Sequence, residues 1–346
     1  MKKIVLAATA LVCVGVQAQT NSYTVTNIVT NSQDPHLVNP WGVSRAASKS
    51  IGENEWWISD QVTGLSTLYD ANGSVVGLTV TIPPAGTSGP GSPTGTAAYT
   101  ISKTNVNFAF ATLDGTISYW NSQTRPGSPG KSCAQCHVTT ANIMVNNSAS
   151  GASYQGLTIA KNATSGAETF YAANANGGIE AYDAASFAPV TLPAGAFTDA
   201  KIPAAYSPAG IQAIGSKIFV TYNRTAGGGT GFVDAYSTNG KLVMRLQTGW
   251  FNQPWGVTQA PASFGAFSGM ILVGNTGSGW IGAYDASTGK FAGFLDDSTG
   301  NAITLPGLWG LEFGNGSADS GPTTSLYFTD GGANLTTGTF GVITAN

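Results

Sequence analysis

The chain has little charge, few cysteines and almost no histidine. Only 9% of its 346 residues are charged, and the formal net charge is −3. No cluster of Lys or Arg occurs, so we expect no nucleic-acid partner, because phosphate backbones are bound through basic patches. Its two histidines, His36 and His137, are too few for a histidine-rich catalytic metal centre. No Gly-x-Ser-x-Gly elbow has a plausible histidine partner, which disfavours serine hydrolase chemistry.

The mature sequence also lacks an amphipathic helical run of useful length, and in its place a short motif returns six times. Its clearest copies are residues 39–43, 253–257 and 307–311. Each copy is centred on a glycine: Gly42, Gly95, Gly156, Gly210, Gly256 and Gly310. A period near fifty residues, with short alternating strands in each unit, is the signature of a β-propeller. The sequence therefore predicts an all-β, six-bladed β-propeller.

The sixth unit stops after its third strand, at residues 340–343, and lacks an outer strand. Residues 22–29 form a strand-like run before the first motif and belong to no unit of their own. We expect this N-terminal strand to pair with the last blade and close the ring, since closure removes open sheet edges.

The N-terminus reads as a targeting segment. Lys2 and Lys3 give a positive start, residues 4–16 a short apolar core, and Ala18 a small residue before the expected cleavage. We therefore expect a signal peptide over 1–18, a single propeller domain over 19–346 and a secreted or periplasmic location. The mature chain has no candidate transmembrane segment.

Several segments together resemble a known family. They are residues 37–42, 64–69, 253–269, 272–275 and 307–316. In these the chain resembles an uncharacterised family of secreted bacterial propeller proteins that is distantly similar to NHL-type six-bladed propellers. The resemblance implies the fold and an exported location. It implies no established activity, so the catalytic residues stay unknown.

A polar loop insertion at about 122–140 carries Cys133, Cys136 and His137. Cys-x-x-Cys-His is the attachment signature of c-type haem, with the histidine as an iron ligand. Two thiols in an oxidising compartment favour a local disulfide over haem attachment, and another metal is a third alternative. A structural zinc site is disfavoured, because only three ligands are near.

Polar residues end the second strand of each unit. Propeller topology would place them around the channel on one face: Asp60, Asp114, Asn174, Asn223, Asn275 and Asp330. Asp60, Asp114 and Asp330 would follow one another around the closed ring and could hold Ca²⁺ or a similar hard cation. The three asparagines, with Trp41, Trp255 and Trp309 beside them, would form a ligand-binding rim. The alternatives are that the acids and amides satisfy turn amides and that the tryptophans pack in the core.

Three functions follow from these sites. The first is an exported scaffold that binds a small ligand, glycan, peptide or protein on the channel face. The second is a metal-dependent lactonase or lyase on that face. The third is a c-type haem electron-transfer protein that uses the Cys133 loop. Whether the protein is an enzyme is left open by the sequence.

Overall fold

A computed structural model describes residues 20–46, 54–86, 88–102, 105–121 and 138–346. The proposed signal peptide and Cys133, Cys136 and His137 lie outside these ranges. The described residues contain β-strands and two short 3₁₀ turns, Ser148–Ser150 and Gly265–Phe267, and no α-helix. No helix among them is long and apolar enough to cross a membrane.

Within the described ranges, twenty-three strands form six antiparallel sheets around one axis, which confirms the six-bladed propeller. The first strand is β1 (Tyr23–Thr30). Blade 1 holds β2 (Pro40–Ser44), β3 (Trp56–Asp60), β4 (Leu65–Tyr69) and β5 (Val80–Thr81). Blade 2 holds β6 (Pro93–Ser102), β7 (Asn105–Thr112), β8 (Thr116–Asn121) and β9 (Asn142–Asn146). Blade 3 holds β10 (Tyr154–Lys161), β11 (Glu168–Asn174) and β12 (Gly178–Asp183). Blade 4 holds β13 (Tyr206–Ile214), β14 (Lys217–Arg224), β15 (Gly231–Ser237) and β16 (Leu242–Arg245). Blade 5 holds β17 (Pro254–Gln259), β18 (Ile271–Asn275), β19 (Ile281–Tyr284) and β20 (Phe291–Phe294). Blade 6 holds β21 (Leu308–Phe313), β22 (Leu326–Asp330) and β23 (Thr339–Ala345).

The ring closes as predicted. Strand β1 is the outer strand of blade 6 and pairs antiparallel with β23, from Tyr23 opposite Ala345 to Thr30 opposite Thr339. The last blade therefore combines the first and the last strands of the chain.

The repeated glycines lie on the innermost strands, where neighbouring blades approach most closely. A Cβ atom on Gly210 would lie 1.9 Å from the backbone oxygen of Trp255 in the next blade, and one on Gly256 would lie 2.3 Å from that of Trp309. The same clash recurs around the ring and closes from Gly310 onto the backbone of Trp41. Any larger residue would push the blades apart, which explains why the motif is built on glycine.

Two blades have a reduced outer strand. The fourth strand of blade 1 is only Val80–Thr81. Blade 3 has three strands only, and its fourth is reduced to a single bridge between Tyr182 and Pro189. Pro189 and Pro193 have no N–H to donate to a ladder, so a regular outer strand cannot form there.

The core lies between the blades. Six buried clusters each join two neighbouring blades, and a seventh lies on the axis. Successive side chains of a strand point to opposite faces, so each strand serves two layers. Trp56 packs towards blade 6 and Trp57 towards blade 2.

Candidate ligand sites along the central channel

The channel has two ends, which the direction of the inner strands defines. We call the end where these strands begin the upper end and the end where they finish the lower end. Pro40 pairs with Asp60, and Leu308 pairs with Asp330, so the polar residues that end the second strands are at the upper end.

Three tryptophans close the upper end. The rings of Trp41 and Trp309 stack with centroids 3.7 Å apart, and Trp255 meets each of them edge-on at about 6 Å. They come from blades 1, 5 and 6, and Ala209 of blade 4 completes the cluster. All three indoles are buried. They pack against one another across the axis and leave little ring surface for a ligand.

Two of the three indole N–H groups have protein acceptors. Trp255 Nε1 donates to the carbonyl of Gln155 at 3.1 Å, and Trp309 Nε1 donates to Asn39 Oδ1 at 3.0 Å. Trp41 Nε1 finds no acceptor among the described residues. These bonds link blades across the channel, so the cluster is held by polar contacts as well as by stacking.

The asparagines of the predicted rim fix turns. Asn174 Oδ1 accepts from the N–H groups of Ser153 and Asn176, both at 3.0 Å. Asn275 Oδ1 accepts from Asn252 N at 2.9 Å. The half-buried Asn223 lies beside Pro254 at the start of the next blade. Asn174 and Asn275 thus accept hydrogen bonds from backbone N–H groups of turns, as the alternative interpretation of the sequence expected. Contact of these side chains with a ligand stays a prediction.

Asp60 and Asp330 are buried carboxyls. Burial raises the pKa of Asp60 well above its usual value, although Thr67 N donates to its Oδ2 at 3.1 Å. Burial also raises the pKa of Asp330 to about 6, against the hydrogen bond from Gly332 N at 2.5 Å. Burial thus disfavours, in both carboxyls, the ionised form that a hard cation needs as its ligand.

Asp114 does not occupy the position expected for it. Strand β7 ends at Thr112, and it is Thr112 that pairs with Pro93 at the upper end. Asp114 lies two residues farther on, and its Oδ2 accepts from Ala85 N at 3.3 Å. Within the described residues, no three His, Cys, Asp or Glu side chains form a group that could hold a metal. The structure thus does not bring Asp60, Asp114 and Asp330 together as a Ca²⁺ site.

The lower end of the channel is open and polar. A cavity of about 310 Å³ lies there, lined by residues from five of the six blades. Four of its six polar lining residues are the second residue after a repeated glycine: Ser44, Thr158, Gln212 and Glu312. The sequence analysis missed these four residues because their side chains differ in chemical type. Their constant spacing from the repeated glycines could have identified them.

An ion pair spans blades 1 and 6 at this cavity. Arg45 Nη2 lies 3.6 Å from Glu312 Oε1. The guanidinium is also held by two carbonyls, because Nε donates to Phe313 O at 2.7 Å and Nη1 to Ala46 O at 2.9 Å. Its carbon lies 5.7 Å from the centre of the Trp56 ring. Arg45 is therefore fixed in place beside the cavity.

Glu312 is the titratable group of the cavity. Desolvation raises its pKa to about 7, although the Arg45 guanidinium favours the charged form. About a quarter of the side chain, 24%, is exposed. This carboxyl can therefore donate or accept a hydrogen bond near neutral pH.

A larger groove of about 660 Å³ runs between blades 2 and 3, away from the axis. It borders Glu180, whose Oε2 accepts from Tyr154 Oη at 2.6 Å and whose Oε1 accepts from Asn174 Nδ2 at 2.7 Å. Burial opposes ionisation, but the hydrogen bonds from Tyr154, Tyr182 and Asn174 outweigh it and hold the pKa of Glu180 below its usual value. The carboxylate is thus fully engaged with the protein.

Comparison with known proteins finds relatives without an assigned activity. No protein-family profile matches the chain. It is 27% identical over 294 residues to uncharacterized protein R648 of Acanthamoeba polyphaga mimivirus, covering 80% of this chain and 69% of that protein. It is 28% identical over 311 residues to protein L690 of the same virus, covering 82% and 75%. A third mimivirus protein, R640, is 31% identical over 215 residues, which cover 58% of this chain and 37% of that protein.

Solved structures support the fold. A glucose dehydrogenase superimposes with a TM-score of 0.55 over 93% of this chain and 99% of its own, at 12% identity. At that identity the likeness shows the fold alone. Because the relatives found are viral, the resemblance to a secreted, NHL-like bacterial family stays a prediction, as does the choice between haem and disulfide at Cys133 and Cys136.

Proposed function

We propose that this protein is an exported ligand-binding scaffold that takes a small hydroxylated compound into the lower end of its channel. The observation that carries the proposal is the cavity of about 310 Å³ lined by polar side chains from several blades. Its volume is at the small end of the range for small-molecule sites, roughly 300 to 1,000 Å³.

The lining favours an uncharged polar ligand. In its ionised form Glu312 balances the charge of Arg45, and Arg45 is already bound by two backbone carbonyls. Gln212 and the protonated or ionised Glu312 offer both donors and acceptors to the cavity. A compound with several hydroxyl groups matches such a mixture better than an ion does.

The upper rim remains a second predicted contact surface of the same scaffold. A ligand there would meet only the edges of Trp41, Trp255 and Trp309, which are buried against one another. We therefore place the small-ligand site at the lower end and leave the upper end to larger partners.

Export rests on residues 1–18, whose composition is that of a signal peptide. The intact mass of protein recovered outside the cytoplasm of an expressing bacterium should correspond to a chain that begins near Gln19. Recovery of the unprocessed chain from the cytoplasm alone would contradict the proposal.

Thermal unfolding with small polyols tests the binding site. Glucose, xylose, myo-inositol and ribitol at millimolar concentrations are the probes, since a ligand of the native state raises Tm by mass action. At least one should raise the Tm of the wild type, and Glu312→Gln and Gln212→Ala should each reduce that rise severalfold. Val243→Ala, on the exposed outer strand of blade 4, is the matched control. Equal rises in all four proteins, or none with any probe, would overturn the site.

A further inference from the structure

The tryptophans of the chain fall into two groups. Six are almost fully buried, with 8% or less of their surface exposed. Trp250 and Trp280 are 45% and 39% exposed. Both are in blade 5, on loops that lead to and from the upper end of its strands, so the exposed indoles are neighbours in the fold.

Two phenylalanines on the outer strand of blade 5 join them in an aromatic surface, which we call the blade 5 platform (Trp250, Trp280, Phe291 and Phe294). Trp250 stacks on Phe291 with centroids 4.7 Å apart and planes 18° apart. Phe294 lies 5.9 Å from Trp250 and 5.0 Å from Trp280, so it joins the two indoles. One face of Trp250 is thus held by the protein, and the ring is 45% open to solvent.

The surface side chains that hydrogen-bond to the platform residues are all uncharged. Gln247 Oε1 accepts from Phe291 N at 3.1 Å, and Thr304 Oγ1 accepts from Trp280 Nε1 at 3.2 Å. Ser278 and Asn21 bond to the backbones of Trp280 and Phe294. Trp250 Nε1 has no acceptor among the described residues and remains available as a donor. Aromatic faces are thus bordered by neutral donors and acceptors.

The size of the platform argues against a protein partner. A fully exposed Trp has about 150 to 250 Å² of surface, so the two indoles offer roughly 200 Å². A stable protein interface buries about 800 Å² on each partner. The two indoles supply about a quarter of that area, which is enough to cover one or two sugar rings.

We propose that the blade 5 platform binds a neutral glycan. A pyranose ring has an apolar face of C–H bonds that can lie on an indole, and hydroxyl groups at its edge that can reach Gln247, Thr304 and the Trp250 N–H. The aromatic faces of the platform would contact the apolar face of the sugar, and the neutral groups around them would bind its hydroxyls. This site lies on blade 5, does not involve the lower cavity and does not depend on it.

Affinity electrophoresis tests the proposal directly. The probes are xylan, hydroxyethylcellulose, laminarin and soluble starch, each cast into a native gel. At least one should retard the wild type, and Trp250→Ala and Trp280→Ala should each weaken that retardation at least tenfold. Trp250→Phe, which keeps a ring on Phe291, should retain part of it.

Fluorescence quenching supplies a second readout, because only two tryptophans are accessible. Acrylamide should quench Trp250 and Trp280 selectively, and the retarding glycan should protect them. Glu312→Gln should bind glycan like the wild type, whereas Trp250→Ala should keep its polyol response, which separates this site from the lower cavity. Near-native thermal unfolding of both alanine variants shows that they fold.

Three results would overturn the proposal. One is the absence of retardation by any of the four glycans, and another is equal retardation of the wild type and both alanine variants. The third is a dimer of the wild type in sedimentation that dissociates in Trp250→Ala, because the platform would then be covered by a second copy of the chain.

Discussion

The two ends of the channel are built on the same six strands and have opposite character. At the upper end, aromatic rings from blades 1, 5 and 6 meet on the axis and close it. At the lower end, polar side chains stand apart and leave a cavity of about 310 Å³. The tryptophans come directly before a repeated glycine, and the polar residues come two positions after it.

This difference shows how one set of strands can close one end of a channel and leave a cavity at the other. The glycine between the two positions lets neighbouring backbones touch, and a space of about 30 Å³ remains beside these glycines. Above it the side chains fill the axis, and below it they only line it. The packing of the upper end and the cavity of the lower end can then vary separately, with the glycine as the shared constraint.

The largest effect should come from breaking that shared constraint. Gly210→Ala places a Cβ 1.9 Å from the backbone oxygen of Trp255, and no side-chain rotation relieves a clash with backbone. We expect a loss of about 3 kcal/mol or more in the free energy of unfolding, or failure to fold. Urea unfolding followed by near-UV circular dichroism measures it.

Gly77→Ala is the matched control, because a Cβ there has no neighbour within 4 Å. Its free energy of unfolding should stay within about 0.5 kcal/mol of the wild type. Equal stability of the Gly210 and Gly77 variants would show that the inner strands have room to separate.

The next effect concerns the upper end alone. Trp309→Ala removes the ring that stacks on Trp41 and the N–H that donates to Asn39. Large-to-small changes of a buried Trp cost about 3 to 5 kcal/mol, and we expect that range in urea unfolding. Trp309→Phe keeps a ring and loses mainly the hydrogen bond, so it should cost less than half as much. A stable Trp309→Ala would mean that the cluster fills the axis without supporting the ring.

The smallest effect is the pH response of the lower end. The pKa of Glu312 is raised from 4.5 to about 7 in the folded protein, so the native state binds a proton more readily than the unfolded chain. Its contribution to stability is complete below pH 4.5 and is lost as pH rises through about 7. Glu312→Gln should remove this loss and be more stable than the wild type at pH 8, by about 1 to 3 kcal/mol, and similar at pH 4.

Asp330→Asn gives the corresponding measurement at the upper end. The pKa of Asp330 is about 6 in the folded protein, so its contribution to stability is lost between pH 3.8 and about 6. This pH window is narrower and more acidic than that of Glu312. Urea unfolding of both variants from pH 4 to 8 should therefore show two overlapping windows, with the stability change due to Asp330 complete near pH 6 and that due to Glu312 complete near pH 7. Superimposable pH profiles of Glu312→Gln and the wild type would contradict the assignment to Glu312.

Much of the fold could be predicted because the same close contact between inner strands recurs in every blade. Each blade needs a glycine at the closest approach of its inner strand, so the spacing of Gly42 to Gly310 gave the number of blades. The closing strand was predicted because an unpaired edge needs a partner. The outer strands were less predictable. In blade 3 the outer strand is lost because Pro189 lies where a backbone N–H would have to donate to the neighbouring strand.

The site was harder to predict than the fold. Asn174 and Asn275 were assigned to the correct end of the channel, but whether their oxygens face turn amides or a ligand depends on loop geometry that no motif encodes. Asp114 lies two residues beyond the pairing position of blade 2, which is at Thr112, so repeat spacing alone did not locate its side chain. The polar residues of the lower cavity were missed because Ser44, Gln212 and Glu312 occupy the same position in the repeat but have different types of side chain.

Ring closure also sets an order of events for the folding of this chain. The register joins Tyr23 to Ala345, so the strand that is synthesised first pairs with the strand synthesised last. Contacts so distant along the chain form late, because the entropy of closing the loop must be offset by structure already formed between its ends. Until then β23 presents an unpaired edge that can bind another chain. The period between synthesis of the last strand and its capture by β1 is therefore when this protein is most exposed to misassembly.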